Sequence, residues 1–550
     1  MIFCALVYIN KGLGEKMAKA KEVKFYNNRY MGSLDETSCN QLERLLELDS
    51  RNEGLRDLHR IIVNLPDNVV SEIIAIKDND INAILPDYDT PVGALKEYQQ
   101  IGVALLYIAK TAILGDSVGL GKTVESAGLI QFLKAERASQ PNAKPFRFLM
   151  LTEKNLVNQV RSEMVKFTGD YVDLVSSGEE KVMKKFLERH PFHEPLSTSI
   201  CGTHALLTTP TFLSWVEQCR TQGHGFPFDL LVVDESSCLG NTKTQIVDGF
   251  KAISKYFSRI VFLNATPFET KLDIFYTQLN LLDPTMLPTQ TAFKKEYCLM
   301  DYTGMFPRPT GKYKNTEDFR HKIGYRYFAR SRKDKGGTME GCKGRILFSP
   351  LSAVQKEWMQ KTQMYRMVYD CPTALDPNIP FNEQTVPKLQ SLMYLLEHEC
   401  ADFDTLLFFV YYKEAQALLS QWLTSKGISN RVLNGDTESD ERQQIIKDFK
   451  EQSYRVLITN VQRGLNFNNC PCCIFYSYDP NPSKMIQFEG RITRDFDIKD
   501  KSIYLLCSMG KESKRLNDVI KERTKSTMET SSTDFSVILD LLLNTGGENS

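Results

Sequence analysis

The stretch of sequence that decides the fold reads Asp116-Ser117-Val118-Gly119-Leu120-Gly121-Lys122-Thr123. It follows the short apolar run Ala112 to Leu114 and precedes a segment with helical spacing of apolar residues. The two glycines let backbone N–H groups face a phosphate chain without a Cβ in the way, and a helix that begins here adds its positive end. We therefore predict a strand, a phosphate-binding loop and a helix in succession.

This loop carries the side chains that a nucleoside triphosphate with Mg²⁺ requires. Lys122 would neutralise the β- and γ-phosphates, and the hydroxyl of Thr123 would hold Mg²⁺. A loop of this kind usually begins with glycine, whereas this one begins with Asp116. The sequence predicts a site for ATP and Mg²⁺ to which every residue from Asp116 to Thr123 contributes.

Short apolar runs alternate with longer amphipathic stretches between residues 91 and 283, and again between residues 388 and 525. Such alternation is typical of a parallel sheet with helices on both faces. The sequence therefore predicts an α/β fold with two tandem parallel-sheet lobes. The runs assigned to strands are Ala112–Leu114, Phe148–Leu151, Leu206–Leu207, Leu230–Val233 and Ile260–Leu263 in the first lobe, and Leu406–Val410, Arg431–Leu433, Arg455–Ile458, Ile474–Tyr476 and Ile503–Leu506 in the second.

Three further segments lack this alternation. Residues 1–90 have apolar residues near helical spacing but no catalytic pattern, so we expect a mostly helical N-terminal extension for packing, regulation or a protein partner. Residues 284–387 are rich in Lys, Arg, Tyr and Phe, and we expect them to form a helical insertion between the lobes. Residues 526–550 form a Ser/Thr-rich tail.

The charge balance restricts the kinds of partner. Lys and Arg number 68, as do Asp and Glu, so the formal net charge is zero and any nucleic-acid contact is expected to be local. No run reaches the ~18 apolar residues of a membrane span, and the apolar residues 1–9 lack the flanking signals of a secretory leader. We expect a protein of the cytoplasm, or of a nucleoid or viral replication site, that is neither secreted nor membrane-bound.

The 13 cysteines are scattered through the chain, which favours reduced thiols. Cys470, Cys472 and Cys473 lie close together, but a zinc site would need a fourth ligand and a clearer second pair. Ile474-Phe475-Tyr476 follow directly. The favoured interpretation is the entrance of a buried strand, with zinc as the alternative.

Two carboxylates, Asp234 and Glu235, follow the apolar run Leu230 to Val233. A buried strand of such a sheet delivers its C-terminal residues to the edge where ligands bind. Asp234 would bind Mg²⁺, directly or through water, and Glu235 would orient the attacking water and accept its proton. A helix cap would look the same, but the phosphate loop upstream favours catalysis.

Two later clusters are candidates for coupling and for a second contact with the phosphates. Asn264-Ala265-Thr266-Pro267 follows a strand and is either a simple turn or a relay between the nucleotide site and the second lobe. In Gln487 to Arg494, Arg491 and Arg494 lie three apart on one face of a predicted helix. They could form surface ion pairs or, across a cleft that closes on ATP, reach a γ-phosphate.

In order along the chain, these elements resemble the motifs of superfamily-two helicases, beginning with Tyr98-Gln99. The chain is most similar to the Swi/Snf-type ATPase branch, over roughly residues 91–515. The details that carry this resemblance are the Asp-x-x-Gly-Leu-Gly-Lys-Thr loop, the segment Phe293–Arg332 with Tyr297-Cys298 and Arg330-Ser331-Arg332, and Leu433-Asn434-Gly435-Asp436-Thr437 followed by Glu441-Arg442 and Phe449.

The resemblance implies two RecA-like lobes that bind ATP and nucleic acid. It implies that Gln99 contacts adenine, whereas the relay by Asn264 and Thr266 is suggested by their position after a strand. It also implies that the second lobe reaches nucleic acid and nucleotide through Thr459, Gly464, Leu465 and Asn466. The chain departs from the family at Ser237, where His is usual, and at Asn264, where Ser or Thr is usual. These departures concern coupling more than hydrolysis.

The expected function is therefore an ATP-hydrolysing motor that moves along nucleic acid, and the resemblance implies duplex DNA. Basic residues between the lobes could contact phosphates, although charge runs are often only solvated. A strand-separating DNA or RNA helicase and a non-catalytic ATP- and nucleic-acid-binding scaffold remain the alternatives. The basic residues in question are Lys294, Lys295, Arg308, Lys312, Lys314, Arg320, Lys322, Arg326, Arg330, Arg332, Lys333 and Lys335.

Overall fold

A computed structural model of the chain describes residues 95–116, 119–138, 143–264, 272–302, 307–323, 326–330, 339–461, 467–477, 485, 488–493, 498–514 and 516. The chain divides into two compact units: the first holds the residues up to Asp116 and from Gly121 to Arg330, and the second holds the residues after Arg330 together with Gly119 and Leu120. The first unit contains a 7-stranded sheet and the second a 6-stranded sheet. Every strand pair in both sheets is parallel, so the predicted α/β fold with two parallel-sheet lobes is confirmed. The predicted N-terminal extension and C-terminal tail lie outside the described residues.

The large sheet of the first unit has the strand order β3-β4-β2-β5-β6-β1-β9. A separate antiparallel hairpin, β7–β8, follows it. The strands are β1 (Thr111–Leu114), β2 (Phe148–Thr152), β3 (Val172–Val175), β4 (Ser199–Thr203), β5 (Leu230–Asp234), β6 (Arg259–Leu263), β7 (Cys298–Asp301), β8 (Arg308–Tyr313) and β9 (Tyr327–Phe328). The helices are α1 (Glu97–Ala109), α2 (Lys122–Ala138), α3 (Val157–Thr168), α4 (Glu180–Arg189), α5 (Pro210–Gln222), α6 (Gln245–Ser254), α7 (Leu272–Leu282), α8 (Gln290–Tyr297) and α9 (Thr316–Ile323).

The large sheet of the second unit has the strand order β11-β17-β15-β12-β14-β13. A short parallel pair, β10–β16, accompanies it. The strands are β10 (Met339–Glu340), β11 (Lys343–Ser349), β12 (Leu406–Phe409), β13 (Asn430–Leu433), β14 (Val456–Thr459), β15 (Cys472–Phe475), β16 (Ile498–Lys499) and β17 (Ser502–Ser508). The helices are α10 (Ala353–Lys361), α11 (Tyr365–Asp370), α12 (Lys388–Tyr394), α13 (Lys413–Ser425) and α14 (Ser439–Lys450).

Each sheet is buried on both faces, which explains the continuous apolar runs of its central strands. In β5, Leu231 and Val233 belong to the core on one face, while Leu230 and Val232 belong to the core on the other. In the second unit the residues of β12 alternate in the same way between two cores. Burying each such side chain contributes about 1.5–3 kcal/mol, so the sheet holds its C-terminal edge in a fixed place.

The predicted insertion at residues 284–387 is not a separate helical element. Its β9 joins the first sheet, where Tyr327 and Phe328 pair with Ile113 and Leu114 of β1. Its β11 joins the second sheet and pairs with β17 along its whole length. Neither strand could be predicted from the sequence, because the two-residue β9 is too short to show an alternation of apolar and polar residues and the apolar residues of β11 follow a basic stretch.

One predicted strand is also wrong, because Leu206 and Leu207 lie in a 3₁₀ turn that follows β4. The strand itself is Ser199–Thr203, whose polar residues gave no apolar run. Within the described ranges no helix is long and apolar enough to cross a membrane.

Candidate nucleotide site

The C-terminal edge of the first sheet brings together the predicted phosphate loop and the predicted carboxylates. Leu114 at the end of β1 and Asp234 at the end of β5 both pair with Leu263, the last residue of β6. The two strand ends therefore lie about 10 Å apart, which is two strand spacings. Asn264 follows β6, and its backbone N–H donates to the carbonyl of Leu114 at 3.1 Å.

The described part of the loop has the backbone that phosphate binding requires. Gly119 and Gly121 both have φ 89°, in the left-handed region that favours glycine. A Cβ on Gly121 would lie 2.6 Å from Nε2 of Gln99, so this α1 side chain packs directly against the loop. Helix α2 begins at Lys122, whose Nζ donates to the carbonyl of Asp116 at 2.6 Å. Thr123 follows in the first turn of α2.

The carboxylate of Asp116 is paired with an arginine from the end of the first unit. It is fully buried and accepts hydrogen bonds from Nε of Arg330 at 3.0 and 3.1 Å. Arg330 also reaches the buried Glu125, whose pKa is raised well above its usual value because burial outweighs the nearby guanidinium. The Asp116 side chain thus meets Arg330 while its carbonyl accepts from Lys122, and its contact with nucleotide stays a prediction.

Two arginines that were candidates for phosphate contact serve the fold instead. Arg330 is 3% exposed and paired with Asp116. Arg326 donates to the carbonyls of Ala109 and Thr111 and pairs with Asp283 at 3.1 Å. The sequence alone could not distinguish these two arginines from solvated basic residues, because their burial results from β9 joining the sheet.

Asp234 and Glu235 lie where the sequence predicts, and two unforeseen residues fix them. Oδ2 of Asp234 accepts a hydrogen bond from the Thr152 hydroxyl at 3.0 Å. The backbone carbonyl oxygen of Asp234 lies 2.7 Å from Nε2 of His204. A carbonyl only accepts, so Nε2 carries the hydrogen. Burial lowers the pKa of His204 to about 4, which keeps the ring neutral. Glu235 itself has φ 49° and ψ 51°, an uncommon left-handed conformation for a residue other than glycine.

Further polar residues at the same edge were also missed. The buried Ser236 hydroxyl donates to Oε1 of Gln278 on α7 at 2.8 Å. Thr152 ends β2 and His204 directly follows β4, so applying the strand-end rule to every strand would have found both.

A cavity of about 550 Å³ opens beside His204, between the loops that follow β2, β3 and β4. Its polar lining combines hydroxyl groups of Ser and Thr with one lysine, Lys154, and two carboxylates, Glu153 and Glu179. The lining residues are Glu153, Lys154, Ser177, Gly178, Glu179, Thr203, His204, Ala205, Thr208 and Thr209.

In the second unit, Thr459 ends β14 and is fully buried. Its hydroxyl accepts from the N–H of Val461 at 2.9 Å. Arg491 is 8% exposed and lies in a turn after Phe488 and Glu489 rather than on the helix that we predicted. Its carbonyl accepts from the N–H of Phe467 at 2.8 Å. The candidates Ser117, Val118, Thr266, Gly464, Leu465, Asn466 and Arg494 lie outside the described residues.

The cysteine cluster of the second unit is part of the core. Cys472 and Cys473 are fully buried in β15, and Cys470 is 3% exposed just before it. No group of three or more His, Cys, Asp or Glu side chains that could hold a metal ion occurs in the part of the chain that the structure describes. The buried strand is therefore the better interpretation. Mg²⁺ needs no such group, since it is usually held by one or two side chains with water and phosphate oxygens.

Two protein families match this chain. The SNF2-related domain matches residues 95–395, and the helicase conserved C-terminal domain matches residues 387–495. The DNA repair and recombination protein RAD54B of Mus musculus is 22% identical over 494 residues, covering 76% of this chain and 54% of that protein. The ATP-dependent DNA helicase DDM1 of Arabidopsis thaliana is 21% identical over 470 residues, covering 76% and 59%. The chain thus spans about half the length of these curated relatives.

Among solved structures, the Sulfolobus solfataricus SWI2/SNF2 ATPase core in complex with dsDNA is similar at 17% identity and a TM-score of 0.39. That similarity covers 81% of this chain and 95% of the other.

Proposed function

The chain belongs to the SNF2-related domain family, and on that premise we propose that it is an ATP-hydrolysing motor that moves along duplex DNA. The observation that carries the proposal is the shared edge of the first sheet, where the phosphate loop and two carboxylates flank β6. A loop that holds phosphates beside a carboxylate that can accept a proton is the arrangement that phosphoryl transfer to water requires.

The phosphate loop supplies binding. The N–H groups of Gly119 to Gly121 and the first turn of α2 face the triphosphate, and Lys122 exchanges the Asp116 carbonyl for the β- and γ-phosphate oxygens. Gln99 packs against Gly121, which supports its assignment to the adenine ring. Ser117 and Val118 complete the loop in this proposal.

The Thr123 hydroxyl and the Asp234 carboxylate would hold Mg²⁺, and their oxygen atoms suit this ion. When bound there, Mg²⁺ neutralises charge on the phosphate oxygens. The hydrogen bond from Thr152 orients the Asp234 carboxylate. Glu235 then orients the attacking water and accepts its proton, while His204 holds the backbone on which Glu235 is carried.

Residues of the second unit, together with Asn264 and Thr266 of the first, complete the proposal. Arg491 and Arg494 are assigned to the charge that develops on the γ-phosphate. Asn264, Thr266, Thr459, Gly464 and Asn466 are assigned to coupling with nucleic acid. These assignments rest on the resemblance and on the position of Thr459 at the end of a strand.

Duplex DNA is the proposed track for two reasons. Relatives of the chain are named for DNA repair and for DNA helicase activity. The motifs that resemble the Swi/Snf-type branch imply the same track, and the zero formal net charge favours a local contact with its phosphates. We further propose that residues 1–90 bind a protein partner and that the protein acts in the cytoplasm, a nucleoid or a viral replication site.

The proposal is tested by ATP hydrolysis in the presence of duplex DNA, single-stranded DNA, RNA or no nucleic acid. We expect duplex DNA to stimulate most, and added salt to reduce the stimulation because phosphate contacts release counterions. Lys122→Ala serves as the inactive control. Equal rates with every nucleic acid and with none would contradict the motor, and greatest stimulation by single strands or RNA would favour a strand-separating helicase.

A further inference from the structure

Arg330 is the last residue of the first unit and is almost completely buried, at 3% exposure. Burying a guanidinium is costly unless its donors are satisfied. Here its backbone N–H donates to Oδ1 of Asp116 at 2.9 Å, and its Nε donates to both oxygens of the same carboxylate. Nη2 donates to Asp116 and, at 2.6 Å, to Oε2 of Glu125. The side chain therefore donates to Asp116 and Glu125, which precede and follow the phosphate loop.

The surrounding chain makes room for this cluster. A Cβ on Gly102 of α1 would lie 1.8 Å from Oε2 of Glu125 and 2.8 Å from Nη2 of Arg330, so a larger residue there would displace this ion pair. The cluster thus joins the end of β1, the start of α2, a glycine of α1 and the residues after β9. These are the elements from which the nucleotide site of the first unit is built.

The link from the cluster to the site runs through the backbone of Asp116. Its carboxylate is held by Arg330, and its carbonyl accepts from Nζ of Lys122 at 2.6 Å. A shift of the Asp116 side chain would therefore move the residue at which the loop leaves β1 and the point that Lys122 contacts.

We propose that Arg330 is a positioning residue for nucleotide binding, which holds Asp116 so that the phosphate loop and Lys122 stand ready for the triphosphate. This inference rests on the proposed binding of ATP. The competing account gives Arg330 only the structural role of fastening β9 to β1.

Arg326 provides a matched control for that competing account. It is only partly exposed and lies in the same segment, just before β9. It donates to the carbonyls of Ala109 and Thr111, at the start of β1 and thus at the opposite edge of the sheet. Arg326 thus fastens β1 at the edge of the sheet opposite to the loop.

The experiment compares Arg330→Lys with Arg326→Lys for the Kd of a fluorescent ATP analogue, the KM for ATP, kcat and the melting temperature. Lysine keeps the charge but loses the planar fork that serves both Asp116 and Glu125. We expect Arg330→Lys to raise Kd and KM by about tenfold or more, since small misplacements of binding groups are costly. Arg326→Lys should lower the melting temperature to a similar extent and change Kd by less than about twofold.

Asp116→Asn extends the test and replaces Arg330→Lys if that variant does not fold. It should also weaken ATP binding, and combining it with Arg330→Lys should add little, because both changes break one link. Equal Kd values for wild type, Arg330→Lys and Asp116→Asn would overturn the positioning role. So would an equal loss of affinity in Arg326→Lys. If the wild-type chain binds no ATP, the proposed function itself fails, and the positioning role fails with it.

Discussion

His204 is the unforeseen residue on which the proposed chemistry depends most. Its Nε2 lies 2.7 Å from the carbonyl of Asp234, which belongs to the peptide that leads into Glu235. Glu235 holds the left-handed φ of 49°. That conformation costs a residue with a Cβ about 1–2 kcal/mol, so the turn needs an interaction that opposes its relaxation. The perturbation is His204→Phe, which keeps a ring of similar size and removes the donor.

The expected magnitude follows from the single hydrogen bond that is lost. Its net value is about 1 kcal/mol, rising to about 3 kcal/mol if the buried carbonyl finds no replacement. Each 1.36 kcal/mol corresponds to a tenfold change in rate. If the lost hydrogen bond destabilises the backbone conformation that positions Glu235 by about 1–3 kcal/mol, kcat should fall roughly 5- to 150-fold. The phosphate loop is unchanged, so ATP affinity should stay within about twofold.

The assay is steady-state ATP hydrolysis with saturating duplex DNA, beside a titration with a fluorescent ATP analogue. His204→Gln is the matched control, because its amide N–H can still donate to the Asp234 carbonyl. We expect it to recover most of the turnover. Wild-type kcat in His204→Phe, or the same loss in both variants, would refute the argument that this hydrogen bond positions Glu235.

Four other changes have defined outcomes. Glu235→Gln should still bind ATP while turnover falls about 10²- to 10⁴-fold, because an amide accepts no proton; unchanged hydrolysis would contradict this. Arg494→Ala should spare ATP affinity and lower turnover by roughly 10³ or more, whereas a mere surface ion pair predicts near-normal turnover. Lys388 is fully buried, 2.8 Å from the carboxylate of Asp370 and 3.1 Å from that of Glu512. Lys388→Met leaves both carboxylates without this partner and should lower the free energy of unfolding by about 3–5 kcal/mol in urea melts; a smaller loss would mean that the carboxylates become neutral. Burial raises the pKa of Asp173, but its hydrogen bond with His190 and the charge of a nearby arginine outweigh this and leave the pKa below its usual value. The ionised carboxylate therefore stabilises the fold above about pH 4, and this stabilisation is lost as the pH falls further. The unfolding free energies of wild type and Asp173→Asn should converge below about pH 4, and parallel curves would contradict this.

The features that the sequence predicted are those with a periodic or local signal. The strands that end at Leu114 and Asp234 are apolar and buried on both faces, and the glycines at 119 and 121 have the φ that the loop demands. The carboxylates then follow from the rule that ligands bind at the C-terminal edge of a parallel sheet. Short stretches of sequence were therefore enough to predict the fold class and the central residues of the candidate site.

The features that the sequence missed depend on contacts between distant residues. Arg330 meets Asp116 across 214 positions, and only the pairing of the two-residue β9 with β1 brings them together. His204 meets Asp234 because β4 and β5 both flank β2, an order that no local pattern encodes. The same limitation explains why a basic segment that we expected between the lobes contributes strands to both sheets.

The most direct test of the central claim is whether ATP hydrolysis by this chain moves it along duplex DNA. A duplex carrying a labelled third strand downstream of a binding site reports such movement when the third strand is displaced. The proposal predicts displacement with ATP, none with a non-hydrolysable analogue, and none with Glu235→Gln even though that variant binds ATP. DNA-stimulated hydrolysis without any displacement of the third strand would contradict the claim that this protein is a duplex-DNA motor.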